Sequence, residues 1–446
     1  MSTLPAEEPV KAPSLGARAP LPVLDLDFAR AQFPALAGGW VFLDNAGGSQ
    51  VLASVADRVR EYLLTSSVQV GASYEPSRLA AERIAAAARA CALLVNAADP
   101  SEIVLGPSTT QLLQNLARAF RERIGPGDEI VVTNADHEAN VTPWLRLAEE
   151  RGATVRFWQA DPATAGLDLA GLDLAGLVPL MTGRTRLVCF PHVSNVVGTV
   201  HPVAEIARFV HQRGALVCVD GVAYAPHRAV DVRAWDVDFY VFSLYKVFGP
   251  HQGLLYGRRD LLLDLANVNH VFVPRDALPY KLLPGNLNYE LAHGVPAIVE
   301  YLEELGRRAN ANANANAASD SAPDATSRER IEAAFAAIAR HEEGLTAPLL
   351  EYLAGKPGVR LLGDPAPSRA GRIATVGFSV EGRSSAEIPA AIDAFRIGIR
   401  YGDFHARRLI ESLGLAERGG IVRISMAHYN TPEEIERLIA ALETVL

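Results

Sequence analysis

The 446 residues carry 42 Lys and Arg against 51 Asp and Glu, a formal net charge of -9, and the cations are spread along the chain rather than clustered. That balance offers no basic field for a phosphate backbone and excludes nucleic acid as a partner. With 49% apolar and 21% charged residues the chain can bury a large core in two or three compact units, and no run approaches the ~20 apolar residues of a membrane span.

Residues 1–25, rich in Pro and Ala and without a continuous apolar stretch, are expected to be a disordered, cytoplasmic N-terminus rather than a secretory signal. From about residue 78 to 265, short β-branched runs alternate with helical ones. Examples are 129–134, the helix 145–151 and 154–158, then strands at 186–190, 216–219 and 238–242 with a helix at 204–213. This is the pattern of repeated βαβ units, so the fold class is α/β with a mostly parallel central sheet. No GxGxxG follows any of these strands, and a nicotinamide-binding unit is not supported. A large domain is expected over 26–300, with 26–45 partly packing on a second domain. The Asn-Ala alternation within 308–328 reads as a low-complexity flexible insertion. A smaller α+β domain follows over 329–446.

Cys91, Cys189 and Cys218 are three scattered residues without metal-ligand or disulfide spacing. Each sits in a helical or strand-like apolar run, where a free cysteine usually packs as a small hydrophobe. A reducing compartment and no metal site are the expectation.

Four polar residues fall just past the C-terminal ends of different predicted strands: His137, Asn195, Asp220 and Lys246. In an open α/β sheet that edge is where ligands bind. The loop Gly106-Pro107-Ser108-Thr109-Thr110 opens a predicted helix, 111–121, whose amides and dipole suit a dianion. A lysine able to form a Schiff base, a carboxylate for a ring nitrogen and a phosphate cradle are the needs of pyridoxal 5'-phosphate (PLP) chemistry. Singly, each residue has an ordinary structural explanation: a helix cap, a turn aspartate, a loop histidine, a solvated lysine. Together they point to a cofactor.

The stretches Asp136 to Trp144, His192 to Thr199, Val219-Asp220-Gly221 and Phe239 to Pro250 closely resemble cysteine desulfurases, in the class V aminotransferase group of fold-type I PLP enzymes. The resemblance runs in order from about Phe42 to Tyr429. It implies that Lys246 carries the cofactor, Asp220 pairs with the ring nitrogen, Asn195 bonds the ring hydroxyl and His137 stacks on the ring. It places Thr109, Thr110, Ser243 and Tyr245 at the phosphate. It further implies a homodimer with the active site at the interface, Asn286 reaching the partner's phosphate. Arg423, in Val422 to Asn430, corresponds to the arginine that grips the substrate carboxylate of an amino acid, a role a planar guanidinium fills with two parallel bonds. Asn45, Tyr74 and Arg400 fall on the substrate side.

The chain leaves the pattern at Arg400-Tyr401-Gly402-Asp403-Phe404-His405-Ala406, where the desulfurase loop carries a cysteine that takes up sulfur as a persulfide and this chain has His405. Imidazole cannot carry a persulfide. Ala223 stands where the family often has Gln or His, and Tyr245 where it commonly has His. The expected reaction is therefore a PLP-dependent C–S lyase β-elimination on a cysteine-derived conjugate or sulfoxide. His405, Asp403, Tyr401 and Tyr74 are candidate proton donors, and Arg407 and Arg408 are solvent-facing arginines or a second anion site. The alternatives are an aminotransferase or epimerase, a desulfurase or selenocysteine lyase-like activity, and a catalytically silent PLP-binding protein.

Overall fold

A computed structural model describes residues 21–161, 165, 174–317 and 325–446. The large domain is built on a seven-stranded sheet. Its strands are β1 (Ile103–Gly106), β2 (Glu129–Thr133), β3 (Thr154–Trp158), β4 (Thr185–Pro191), β5 (Leu216–Asp220), β6 (Phe239–Ser243) and β7 (Gly253–Gly257). The spatial order is β1-β7-β6-β5-β4-β2-β3, and every pairing is parallel except those of β7.

Both faces are covered, which explains why these strands read as unbroken apolar runs. Val188, Phe190, Val217, Val219, Tyr240 and Phe242 belong to a core shared with the helices Glu75–Val95, Val203–His211 and Pro296–Ala317. Their alternating neighbours Leu187, Cys189, Cys218, Phe239 and Val241 pack on the opposite face under Thr109–Ala119 and Thr142–Arg151. The period-2 alternation of strand side chains thus serves two cores at once.

The smaller domain has an antiparallel sheet of β8 (Val359–Leu362), β9 (Thr375–Val380), β10 (Arg400–Gly402) and β11 (Ile421–Ser425), in the order β10-β11-β9-β8. Helix Ser327–Ala354 joins the domains: Ile331, Phe335 and Ile338 enter the large core, whereas Leu345, Leu349 and Leu353 enter the small one. The N-terminal segment contributes to both cores. Val41–Phe42 pairs in parallel with Ile397–Gly398, and Val41 and Leu43 join the small core while Ala29 and Phe33 join the large one.

Two expectations are corrected. The Asn-Ala tract is not a flexible insertion up to Ala317, because helix Pro296–Ala317 runs through it. Alternate alanines are strong helix formers, extension of an existing helix carries no nucleation cost, and Ala309 and Ala313 are buried on one face. The large domain accordingly extends beyond residue 300; of the tract, 318–324 lie outside the described residues. Within 21–25 the chain is held in place rather than disordered at Val23 and Leu24: Leu24 packs against the large core and the Val23 N–H donates to Ala309 O at 3.2 Å. The rest of the N-terminal expectation, 1–20, lies outside the described residues. No described helix is long and apolar enough to cross a membrane.

Candidate active site

A cavity of about 500 Å³ opens at the C-terminal edge of the sheet. It is lined by Thr109, Thr110, His137, Asn195, Asp220, Ser243, Tyr245, Lys246 and His405, among others. The sheet order places β6, β5, β4 and β2 side by side, so loops far apart in sequence converge there. Gly221 and Gly253 permit the close approaches this needs. A Cβ on Gly221 would stand 2.1 Å from the Tyr240 ring, and one on Gly253 would stand 2.6 Å from the backbone that opens helix Thr109–Ala119.

Lys246 ends the short turn Leu244–Lys246 after β6. Its Nζ faces the Tyr245 ring at 5.9 Å, and burial, then the charge of Arg423, lowers its pKa to about 8. Asp220 ends β5 with Oδ1 accepting the Val222 N–H at 2.8 Å. Burial raises its carboxyl to about 6. Asp136 beside it is pushed up by burial and by the charge of Asp220, and accepts from His137 N–H at 2.7 Å and Asn140 Nδ2 at 2.8 Å. His137 Nδ1 accepts the Ala139 N–H at 3.0 Å, which puts the ring proton on Nε2. Burial, then Lys246, lowers its pKa to about 3, so the ring is neutral. Thr109 and Ser243 bond each other through their hydroxyls at 2.7 Å, and Ser108 Oγ accepts the Gln111 N–H at 3.2 Å, capping the same helix start.

The outer wall comes from the small domain. His405 stands at the rim with its ring centroid 5.1 Å from that of His137. Its carbonyl accepts the Glu138 N–H at 2.8 Å. Asn195 Nδ2 donates to Phe404 O at 2.8 Å, and the Phe404 ring lies 3.8 Å from the Arg423 guanidinium carbon.

Lys246, Asp220, Asn195, His137, Thr109, Thr110, Ser243, Tyr245 and His405 therefore share one cavity. Arg423 does not line the cavity and lies against the Phe404 ring, its side chain 3% exposed, donating to Asn195 O at 3.0 Å and Asp44 Oδ1 at 3.1 Å. Arg400 pairs with the same Asp44 at 2.8 Å. Asn45 is committed elsewhere, to Phe42, Ser425, Asn430 and Tyr429. Tyr74 and Asn286 are exposed and do not reach the cavity of their own chain; Asn286 bonds Gln69 at 3.5 Å. Arg408 pairs with Glu138 at 2.7 Å and Arg407 with Glu411 at 2.7 Å, so neither is free for a second anion. Asp44, Asp136 and Phe404 escaped sequence reasoning. Each adjoins a residue that was singled out, and adjacency was the available signal.

The residues fit PLP. The cavity falls in the range of small-ligand sites, its lysine makes no ion pair among the described residues, and Asp220 has Oδ2 left for a cationic ring nitrogen. Hydroxyls at a helix N-terminus suit the phosphate.

The family model of class V aminotransferases matches residues 41–323 and 325–438. The aminotransferase-like protein FGM3 of Gibberella zeae is 41% identical over 94% of this chain and 98% of its own. The cysteine desulfurase-like protein ustD of Aspergillus flavus is 34% identical over 95% of this chain and 91% of its own. Among solved structures, the cysteine desulfurase CsdA of Escherichia coli, in its S-sulfonic acid form, superposes with a TM-score of 0.76 at 28% identity, covering 95% of this chain and 98% of that one. With this match over nearly all its length and the PLP-fitting cavity at its sheet edge, the chain belongs to the class V aminotransferase family, as a cysteine desulfurase-like, PLP-dependent enzyme of fold-type I.

Proposed function

We propose that the protein is a C–S lyase acting by β-elimination on a cysteine-derived conjugate or sulfoxide, giving pyruvate and ammonia without a protein persulfide. The observation that carries this reading is the outer wall. His405 supplies an imidazole at the rim, while Cys91, Cys189 and Cys218 are all buried.

Lys246 would hold the cofactor covalently, Asp220 its ring nitrogen, Asn195 its ring oxygen, and His137 its face. Thr109, Thr110, Ser243 and Tyr245 would hold the phosphate. Bound PLP supplies a carbonyl for the substrate amine and an electron sink for charge developing at Cα. Lys246 would take the Cα proton as general base; a pKa near 8 leaves a usable share of free amine at neutral pH. Arg423 takes the α-carboxylate. His405 delivers a proton to the departing sulfur, and neutral His137 adds no competing charge beside it. Overall, one water enters, and conjugate becomes thiol, pyruvate and ammonium. In a homodimer, Asn286 and Tyr74 would serve the partner's cavity.

The test is a panel of cysteine conjugates assayed for equimolar pyruvate and ammonia, beside keto acids assayed for amino transfer. Pyruvate from conjugates supports the lyase. Amino transfer alone overturns it in favour of an aminotransferase, the second reading, which the 41% identity to the aminotransferase-like protein FGM3 favours. Sulfide release from free cysteine that outpaces every conjugate would also sink it.

A further inference from the structure

The Phe404 ring lies over Arg423 just outside the cavity, whose lining includes the adjoining His405 and Asn195 but neither Phe404 nor Arg423. Arg423 is buried but does not line the cavity, and its Nε has no hydrogen-bond partner. Two of its donors are taken, by Asn195 O and Asp44, and the side chain over its guanidinium is the Phe404 ring at 3.8 Å. The Phe404 carbonyl also holds the Asn195 amide. The masking residue and the rim histidine are consecutive, both with left-handed backbone, φ 53° at Phe404 and 59° at His405. Side chains adopt that region only under constraint. The constraint is visible: Glu138 N–H donates to His405 O at 2.8 Å, His405 N–H to Asp403 Oδ1 at 2.9 Å, and Arg408 pairs with Glu138 at 2.7 Å.

We infer that Phe404 determines access to the carboxylate anchor: its ring covers Arg423 until a substrate carboxylate displaces it, and the displacement carries His405 with it. Phe404 is a positioning residue, acting through Arg423 and Asn195. A carboxylate offers the guanidinium charge-assisted bonds, including one to the unpartnered Nε, in place of a single cation–π contact. Because Phe404 and His405 share one constrained turn, anchor occupancy and imidazole placement are linked. The inference rests on Arg423 as the carboxylate anchor, as proposed above, and not on which reaction follows.

The experiment titrates the holoenzyme with propionate, an unreactive monocarboxylate, by calorimetry, and follows amide hydrogen exchange at Glu138. Phe404→Leu should bind propionate about three- to thirtyfold more tightly than the native chain, the range of a lost cation–π contact, and Phe404→Tyr should match the native chain. Propionate should accelerate exchange of the Glu138 amide in the native protein. Unchanged or weaker binding by Phe404→Leu overturns the inference, as does unchanged Glu138 exchange at saturation. Phe404→Met serves the same comparison if the leucine variant fails to fold. Propionate binding that survives in Arg423→Lys places the anchor elsewhere and removes the premise. Loss of binding in Arg423→Lys without a Phe404→Leu effect removes only the gate.

Discussion

The floor of the cavity and its outer wall are held in different ways. Asp220 ends β5, and Lys246 and His137 follow the ends of β6 and β2 within four residues, so all three are carried on strands buried on both faces. The wall at Phe404 and His405 is a turn from the other domain, pinned by a few bonds to Glu138, Asn195 and Arg423. A rigid floor suits cofactor retention, which needs constant geometry. A latched wall suits the steps that differ between members of one family, because it can change without disturbing the core.

The largest expected effect tests the floor. Lys246→Ala should abolish the covalent label that borohydride reduction leaves on the native holoenzyme, and lower turnover by about 10³-fold or more. A label that persists, on a peptide lacking residue 246, would break the assignment.

Replacing the wall should act on chemistry and leave the floor intact. His405→Ala should lower kcat by about 10²-fold on conjugates whose thiol is a poor leaving group, and much less on those with an acidic thiol, while the cofactor spectrum stays native. An equal loss on both classes would mean that His405 shapes the wall but moves no proton.

These two regions also differ in how far they could be read from the sequence. The apolar strand runs and the polar residues after them made the sheet edge legible, because burial on both faces and ligand binding at strand ends leave local signatures. The masking of Arg423 by Phe404 and the pairing of Asp44 with both Arg400 and Arg423 join residues about 20 to nearly 380 positions apart, through contacts no local pattern encodes. The Asn-Ala tract misled for a related reason. Its composition has little to bury, yet two alanines four residues apart sufficed once a helix was already running. Asn45 likewise resembled a substrate residue and proved to be a structural one.

A smaller effect concerns the charge stored in the floor. Asp220 is raised from 3.8 to about 6 by burial, so between those pH values the folded chain binds a proton that the unfolded chain does not. Its ionisation therefore costs nothing near pH 3.5 and its full amount above pH 6. In the protein stripped of cofactor, Asp220→Asn should raise stability at pH 7.5 by about 3 kcal/mol and leave it nearly unchanged near pH 3.5. The same variant should bind PLP more weakly, since the amide cannot balance a protonated ring nitrogen. Denaturant titrations at the two pH values check the sign, and a stabilisation of equal size at both would point to packing instead of charge.

The smallest expected effect is the one that separates this chain most sharply from a sulfur carrier. Cys189 and Cys218 are register partners on β4 and β5, and Cys91 lies inside helix Glu75–Val95; burial pushes the thiols of Cys91 and Cys189 up, away from the reactive thiolate. None lines the cavity. Replacing all three by alanine should leave kcat/KM for a conjugate within about twofold, with a modest loss of stability of about 1 kcal/mol per buried sulfur. A loss of activity that exceeds the loss of folded protein would assign one of these thiols to the chemistry. The wall would then not be where the reaction outcome is decided, since a buried thiol can reach the substrate only if the floor itself opens.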